Sequence, residues 1–136
     1  MRLPGAGGAP EIAGSAGEVL IILRQTLKTF VEQLDFMTSV GHGDGGDYRK
    51  RIGLTGEGPV AVISDLGILQ PDRLSKELTL TSLHPGVTLD EARAATGWEL
   101  KVSPALQTTP APTADELLVL RELEQRTALA HGLESL

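Results

Sequence analysis

Unbroken apolar runs alternate with polar, glycine-rich segments along the chain, and this pattern predicts an α/β domain. The first run, residues 19–23, contains only valine, leucine and isoleucine. Strands that are buried on both faces of a parallel sheet carry such continuous runs, whereas half-exposed strands alternate between apolar and polar residues. We therefore predict that residues 19–23 form a strand in the interior of a sheet.

The segment 26–36 is compatible with two kinds of element. Its apolar side chains recur at helical spacing, at Leu27, Phe30, Val31 and Leu34. The β-branched and aromatic residues 29–31 suit strand geometry equally well. The sequence leaves both alternatives open.

Glycine and proline mark the turns that follow. Residues 40–47 include four glycines, which predicts a loop because glycine contributes no packing side chain and allows positive φ. Residues 59–69 form the next apolar run, and Pro71 with Asp72 supplies turn chemistry. Residues 77–83 then alternate polar and apolar side chains. We predict two antiparallel strands over these last two segments.

Two Thr-x-x-Glu patterns predict the starts of helices. Thr88 with Glu91 forms a capping box before an alanine-rich stretch, and Gly97 is positioned to end that helix in the left-handed conformation. Thr113 with Glu116 forms a second capping box. The helix that it opens carries an apolar stripe for packing, made of Leu117, Leu120 and Leu123.

The last third of the chain divides at a proline-rich segment. Residues 98–102 alternate as a final strand, and residues 109–112 form an extended linker. We therefore expect residues 1–108 to form the main unit. Residues 109–136 supply the linker and a C-terminal helix that packs on it.

Composition narrows the class of protein. The 136 residues suffice for one domain, but the net charge of −6 opposes binding to nucleic acid. No cysteine is present, so disulfides, thiolate metal sites and a cysteine nucleophile are excluded from this chain. No apolar stretch reaches the length of a membrane span and no signal peptide is evident. These features predict a cytoplasmic protein that binds neither nucleic acid nor membrane.

A glycine-rich turn, residues 4–9, precedes the first predicted strand. Glycines let backbone N–H groups approach a ligand closely, and a helix N-terminus adds positive dipole character that suits an oxyanion or phosphate. From spacing alone, a tight turn without a ligand is an equal alternative. Such turns normally follow a strand, so we expect the other half of any site to be supplied from outside residues 1–136.

Five segments of the chain resemble the beta subunit of class I CoA-transferases, of the glutaconate and 3-oxoadipate type. The segments are RLPGAGGAPEIA at 2–13, TFVEQLDFMTSVGH at 29–42, GPVAVISDLGILQPD at 58–72, LTSLHPGVTLDEARAATGWEL at 80–100 and TPAPTADELLVLRELE at 109–124. The combination of SLHPGVT with a following ATG is specific, whereas GAGGA alone is not. The resemblance implies an α/β fold with a mixed, largely parallel sheet and flanking helices, and the C-terminal part of such a subunit.

The resemblance also implies a site and a reaction. A glutamate carboxylate attacks the acyl-CoA thioester and then carries CoA as an enzyme thioester. That glutamate is expected upstream of Met1, because none of Glu11, Glu18, Glu32 and Glu57 matches its position. A backbone N–H of Gly7 or Gly8 is expected to stabilise the oxyanion, while Gly5, Ala9 and, more weakly, His42 are expected to contact substrate or CoA.

Other polar residues have structural alternatives. His42 could equally be a solvent-facing side chain or a subunit contact. Asp44 and Asp47 are typical turn formers, and His84 is expected to brace the turn at Pro85. The basic triplet 49–51 could attract CoA phosphates or a dicarboxylate, but a solvated basic face is the alternative. The three histidines show no metal-ligand spacing, so no metal site is expected.

The function implied is that of a CoA-transferase subunit in aromatic-compound catabolism. Together with an alpha subunit, it would move CoA between succinyl-CoA and 3-oxoadipate or a similar dicarboxylic acid, with the CoA thioester as substrate and no bound cofactor. A glutaconate CoA-transferase subunit is one alternative. A related acyl-CoA hydrolase or decarboxylase that lacks the glutamate, and an inactive fragment that acts only in subunit association, are the others.

Overall fold

The structure is a computed structural model that describes residues 7–132. Its strands form one five-stranded sheet in the order β1-β2-β3-β4-β5. The strands are β1 (Val19–Ile22), β2 (Pro59–Ile63), β3 (Gly67–Pro71), β4 (Leu78–Leu83) and β5 (Lys101–Thr108). The helices are α1 (Ala9–Ser15), α2 (Tyr48–Arg51), α3 (Leu89–Ala94) and α4 (Ala114–Ala130).

The sheet is mixed, and four of its five strands run in the same direction. β1 pairs with β2 in parallel and β4 with β5 in parallel. β3 lies between β2 and β4 and is antiparallel to both. The predicted fold class, a mixed and largely parallel sheet with flanking helices, is confirmed. In the described part of the chain, no helix has the length and apolar character to cross a membrane.

The prediction that β1 lies inside the sheet is wrong. β1 is an edge strand whose one neighbour among the described strands is β2. Its side chains alternate in exposure, with Leu20 at 62% and Ile22 at 77%, although every residue is apolar. The run has the composition of a strand covered on both faces, but residues 7–132 cover only one of them.

This edge leads to the first prediction, that residues 1–136 alone aggregate. An unpaired apolar edge next to exposed leucine and isoleucine is a template for association between copies. The double variant Leu20→Lys/Ile22→Lys is expected to shift the chain toward monomer in size-exclusion chromatography. As a matched control, Ile21→Lys places the same charge on the opposite, core-facing side of β1 and should abolish folding. A clean monomer with cooperative thermal unfolding from the unmodified chain would contradict the prediction.

Residues 59–71 form two strands where the sequence predicts one. The chain reverses after Ser64, whose hydroxyl accepts the N–H groups of Leu66 and Gly67 at 3.1 and 3.0 Å. Val62 consequently pairs with Leu69 across an antiparallel ladder. The antiparallel arrangement of the later strands is confirmed, but it contains three strands rather than two.

The core lies on the face of the sheet against which α3 and the 26–36 segment pack. Leu69 and Leu80 are fully buried, and Phe30 stacks on Trp98 with ring centroids 5.9 Å apart. Neither the helical nor the strand alternative for residues 26–36 is correct, since the segment consists of turns and bends. Thr29 stabilises it by donating its hydroxyl to the Arg24 carbonyl at 2.6 Å.

The capping box of Thr88 and Glu91 is confirmed as the start of α3. The role predicted for Gly97 is wrong, because α3 ends at Ala94, Ala95 caps it with φ −91°, and Gly97 is not left-handed. Gly97 instead allows a close approach of two segments. Its N–H donates to the Phe30 carbonyl at 2.8 Å, and a Cβ atom would lie 2.6 Å from the same oxygen.

The capping boxes lead to a prediction about pH. The backbone N–H and the hydroxyl of Thr88 donate to the Glu91 carboxylate, which lowers the pKa of Glu91 below its ordinary value. Because the folded pKa is depressed, this contribution to stability is present above the ordinary glutamate pKa of about 4.3 and is lost as pH falls through the folded pKa. NMR titration of the carboxyl groups in the Leu20→Lys/Ile22→Lys chain should show this. Thr88→Ala should raise the pKa of Glu91 and leave that of Glu116, in the second box, unchanged.

The C-terminal elements differ from the prediction in extent and packing. β5 begins at Lys101 and continues to Thr108, so it starts three residues later than predicted and extends beyond Val102. α4 begins at the predicted capping box of Thr113 and Glu116. No residue of α4 is buried, and Leu120 and Leu123 are 49% and 56% exposed. The predicted packing of the leucine stripe is therefore not seen within residues 7–132.

Candidate functional site

The described part of the glycine-rich turn leads directly into α1. Gly7 has φ +59°, which favours glycine, and Gly8 precedes the helix with φ −80° and ψ −5°. Pro10 lies in the first turn, where its fixed φ suits a helix and its missing N–H costs nothing. Both glycines are exposed. Gly5 lies outside the described residues.

Among residues 7–132, little lies close to the two glycines. A Cβ atom at Gly7 would meet nothing within 4 Å, and one at Gly8 would meet only the Ile12 Cδ1 atom at 4.0 Å. Among the described residues, no acceptor is paired with the N–H of Gly7 or Gly8. The turn therefore offers peptide donors at an accessible helix start, the arrangement that favours a developing negative charge.

An apolar cleft of about 410 Å³ begins beside Ala9 and continues between α1 and the sheet. One wall is formed by α1, and the other by β1, residues 39–41 and the start of β2. The α1 side chains that line it are Ala9, Ile12 and Ala13, and those of β1 are Val19 and Ile21. Ala9 thus lies where a ligand in this cleft would reach the glycine turn, although its predicted contact with substrate stays a prediction.

His42 lines a different cavity, so it and Ala9 do not line a common pocket. Its imidazole is half-buried, and Nε2 lies 2.7 Å from the carbonyl oxygen of Pro59. The cavity beside it measures about 350 Å³, and Lys50, Arg73 and Lys76 are among its lining residues. His42 therefore ties the 40–47 loop to the start of β2. Its weak candidacy as a CoA contact stays a prediction.

The acidic residues of the 40–47 loop bind Arg51. Its guanidinium donates to Asp44 at 2.6 Å and to Asp47 at 3.0 Å, and it lies 5.6 Å from the centroid of the Tyr48 ring. The hydrogen bond with Asp44 is the main reason that the pKa of Arg51 is raised above its ordinary value. Arg51 thus belongs to a surface ion-pair group that closes the loop.

Neither alternative for the basic triplet holds at Arg49, which is buried, whereas Lys50 and Arg51 are exposed as a solvated basic face would be. Arg49 is 7% exposed, and its guanidinium donates to five backbone carbonyls. Nε donates to Gly56 at 2.9 Å, Nη1 to Val40 and Gly41 at 3.2 and 3.1 Å, and Nη2 to Ala13 and Gly14 at 3.2 and 3.1 Å. Every N–H of the guanidinium therefore has an acceptor. We call Arg49 together with the carbonyls of residues 13, 14, 40, 41 and 56 the arginine clamp.

One glycine makes room for the arginine clamp, and a second allows the chain after α1 to approach it. Gly58 has φ +79°, and a Cβ atom there would lie 2.8 to 2.9 Å from the Arg49 guanidinium and Cδ. A Cβ atom at Gly56 would overlap the carbonyl oxygen of Ala16. In the sequence, the clamp is indicated only by the two glycines that closely follow the basic triplet. Their spacing does not show which of the three basic side chains is buried.

A second group that sequence reasoning missed lies at the carboxyl ends of the parallel strands. The buried Gln25 side chain donates to the Thr96 hydroxyl at 2.9 Å and accepts from the Ser64 hydroxyl at 2.8 Å. His84 lies 2.9 Å from the Ser64 carbonyl through Nε2 and 2.8 Å from the Thr109 hydroxyl through Nδ1. The predicted bracing role of His84 is confirmed, and it extends to the ends of β2 and β5.

The described residues thus offer donors for an oxyanion but no evident nucleophile beside them. Within residues 7–132, no group of three histidine or carboxylate side chains could hold a metal ion. The chemistry that fits the site is polarisation of a carbonyl by backbone N–H groups, with the attacking group supplied by another segment or chain.

Comparisons with known proteins agree with this interpretation. A family model described as coenzyme A transferase matches residues 1–95. The beta subunit of the 3-oxoadipate CoA-transferase of Pseudomonas knackmussii is 60% identical over 132 residues, which is 97% of this chain and 51% of that protein. The beta subunit of the glutaconate CoA-transferase of Acidaminococcus fermentans is 34% identical over 122 residues, 89% of this chain and 45% of that protein.

A solved structure extends the match to three dimensions. The crystal structure of glutaconate coenzyme A-transferase from Acidaminococcus fermentans superimposes with a TM-score of 0.79 at 31% identity, and covers 90% of this chain and 46% of that chain. The chain spans about half the length of the curated relatives it matches. Sequence, fold and the glycine turn agree, and the chain belongs to the coenzyme A transferase family.

Proposed function

We propose that the chain forms the oxyanion-binding part of the beta subunit of a CoA-transferase. The enzyme moves CoA between succinyl-CoA and 3-oxoadipate or a similar dicarboxylic acid, in the breakdown of aromatic compounds. The observation that carries this proposal is the 60% identity with the beta subunit of a 3-oxoadipate CoA-transferase across nearly the whole chain. The lower identity with the glutaconate enzyme, 34%, favours 3-oxoadipate over glutaconate.

In this mechanism the chain supplies electrostatic stabilisation rather than the nucleophile. A glutamate carboxylate from outside residues 1–136 attacks the thioester carbonyl of succinyl-CoA, and the carbonyl oxygen becomes negatively charged. The N–H of Gly7 or Gly8 donates to that oxygen, in the open space in front of α1. CoA leaves as a thiolate and the acyl group stays on the glutamate as an anhydride.

The remaining steps return the enzyme to its starting state. The thiolate attacks the glutamate carbonyl of the anhydride, so that succinate leaves and CoA is held as an enzyme thioester. The carboxylate of 3-oxoadipate attacks this thioester and displaces the thiolate, giving a second anhydride. The thiolate then takes the 3-oxoadipyl group and frees the glutamate. The tetrahedral intermediates carry charge on a carbonyl oxygen, so the same peptide donors serve the successive steps.

The partner in this proposal is an alpha subunit of the same transferase. The matched relatives are single subunits of CoA-transferases, and the described residues leave apolar surface exposed at β1 and along α4. An alpha subunit, and the part of the beta subunit that corresponds to the other half of the relatives, would cover such surface. The apolar cleft beside Ala9 would then be closed on its open side.

The test is an exchange assay on the assembled enzyme. The chain, within a beta subunit of the length of its relatives, is co-expressed with an alpha subunit and assayed for formation of 3-oxoadipyl-CoA from succinyl-CoA. Exchange with 3-oxoadipate and an intact-mass shift that marks the CoA thioester would support the proposal. Exchange with glutaconate alone would change the substrate assignment. Hydrolysis or decarboxylation without exchange, or an upstream region that lacks a glutamate, would overturn it, and no activity at all would favour an association-only role.

A further inference from the structure

Helix α1 is held at its C-terminal end rather than along its face. Gly14 is its one buried residue, and the apolar cleft of about 410 Å³ separates much of its inner face from β1. Side-chain packing therefore contributes little to fixing the helix on the sheet. The contact made by the helix itself is the arginine clamp, which joins the carbonyls of Ala13 and Gly14 to the guanidinium of Arg49.

The arginine clamp satisfies the helix end in two ways. Carbonyls of the last helical turn have no partner within the helix, and Arg49 supplies donors to two of them. A buried positive charge at the C-terminal end also complements the helix dipole. Both contributions depend on the position of the guanidinium, so the helix end and the arginine are fixed relative to each other.

The same guanidinium is anchored to the sheet through its other N–H groups. Nε and Nη1 donate to the carbonyls of Gly56, Val40 and Gly41, in segments that lead into β2 or lie against it. Two further backbone bonds lock this region to the end of α1, from Glu57 N–H to Gly17 at 2.7 Å and from Val19 N–H to Gly58 at 2.9 Å. Arg49 thus links the last turn of α1 to the start of β2, beside these two backbone bonds.

We infer that Arg49 is a positioning residue for the peptide donors of Gly7 and Gly8, which rests on the oxyanion role proposed above. α1 has seven residues and a length of about 10 Å, so a displacement at its C-terminal end is carried to the glycine turn. Donors to a developing oxyanion act only when they are placed within about 0.5 Å of the productive geometry. Arg49 touches no substrate and acts through the helix.

The experiment is a double-mutant cycle on kcat in the assembled transferase, with Arg49→Lys and Gly8→Pro. Lysine keeps the charge but cannot reach five carbonyls, and kcat is expected to fall about tenfold with KM nearly unchanged, because misplacement costs orientation rather than binding. Proline at position 8 removes the N–H that Arg49 positions. If Arg49 acts through this turn, the double variant should lose little more than Gly8→Pro alone. Arg93→Lys, the same exchange on the surface of α3, is the matched control and should add no loss.

A second variant keeps the inference testable if Arg49→Lys does not fold. Gly14→Ala leaves Arg49 intact, but its Cβ atom would lie 3.3 Å from Leu54 Cδ2, so the Leu54 side chain or the end of α1 must give by a few tenths of an ångström. Alanine also favours the helix, so the fold is retained. We expect a several-fold loss of kcat that is again not additive with Gly8→Pro. Faster amide hydrogen exchange in residues 9–15 of the folded Arg49→Lys enzyme should accompany these losses.

The outcomes separate this inference from the proposed function. If the losses from Arg49→Lys and Gly14→Ala simply multiply with that from Gly8→Pro, Arg49 does not act through the turn and the inference is overturned, while the oxyanion role stands. If Gly8→Pro leaves kcat unchanged, the oxyanion role itself fails. If Arg49→Lys changes KM but leaves kcat unchanged, Arg49 contributes to substrate binding and the inference is also overturned.

Discussion

Gly8→Pro is expected to lower kcat of the assembled transferase by about 10²–10³-fold, the loss typical of one oxyanion donor. Gly8 has φ −80°, which lies within the range of proline, and a side chain there meets open space. The substitution therefore removes the N–H with little strain at position 8. It also restricts the backbone of Gly7, so both candidate donors are disturbed. Steady-state kinetics with succinyl-CoA measures the effect.

The matched comparison for this variant is Gly8→Ala. Alanine fits the same backbone angles and the same open space but keeps the N–H, so its loss of kcat should be at least tenfold smaller than that of proline. Thermal unfolding of both enzymes should be alike, which would separate chemistry from stability. Equal losses for proline and alanine would show that the side chain matters rather than the donor, and the oxyanion assignment would be abandoned.

Arg49→Met is expected to have the largest effect on stability, a loss of about 3–5 kcal/mol in the free energy of unfolding. Methionine is similar in length and apolar, so the main change is that five buried or part-buried carbonyls lose their donors. The bond to Gly14 is buried and the other four are part-buried, so the lost donors are replaced by water only in part. Urea unfolding of the Leu20→Lys/Ile22→Lys chain, with and without Arg49→Met, measures the loss.

Arg51→Met is the control, because it removes the same group from the same helix at an exposed position. The ion pairs of Arg51 with Asp44 and Asp47 are accessible to solvent, and such pairs contribute little to stability. Its unfolding midpoint should therefore remain close to that of the parent chain. A midpoint for Arg49→Met as high as that for Arg51→Met would contradict the role given to the arginine clamp.

Features that depend on a few neighbouring residues are correctly predicted from the sequence. The two capping boxes and the loop at residues 40–47 follow from side chains within a few positions of one another. The turn after Ser64 is hidden by the apolar run that surrounds it. Its signal is the Ser-Asp pair inside that run, since the serine hydroxyl binds the N–H groups two and three residues later.

The candidate site also has one part that the sequence predicts and one part that it does not. The glycine turn is evident from the sequence because its chemistry resides in consecutive residues. The arginine clamp is not, because its acceptors lie between 7 and 36 positions from Arg49. Three adjacent basic residues have the same local pattern, and only the fold turns one inward, leaves one beside a cavity and pairs the third with two aspartates.

By itself the sequence determined the apolar strand run, the helix starts, the glycine turn and membership of the coenzyme A transferase family. Only the tertiary structure decided that β1 is an edge strand, that Gly97 serves a close approach to Phe30, and that Arg49 ties α1 to the sheet. The physical reason is the sequence separation over which each kind of interaction acts. Propensity and capping act within a turn or a strand, whereas burial and the satisfaction of buried carbonyls depend on which distant segments the fold brings together.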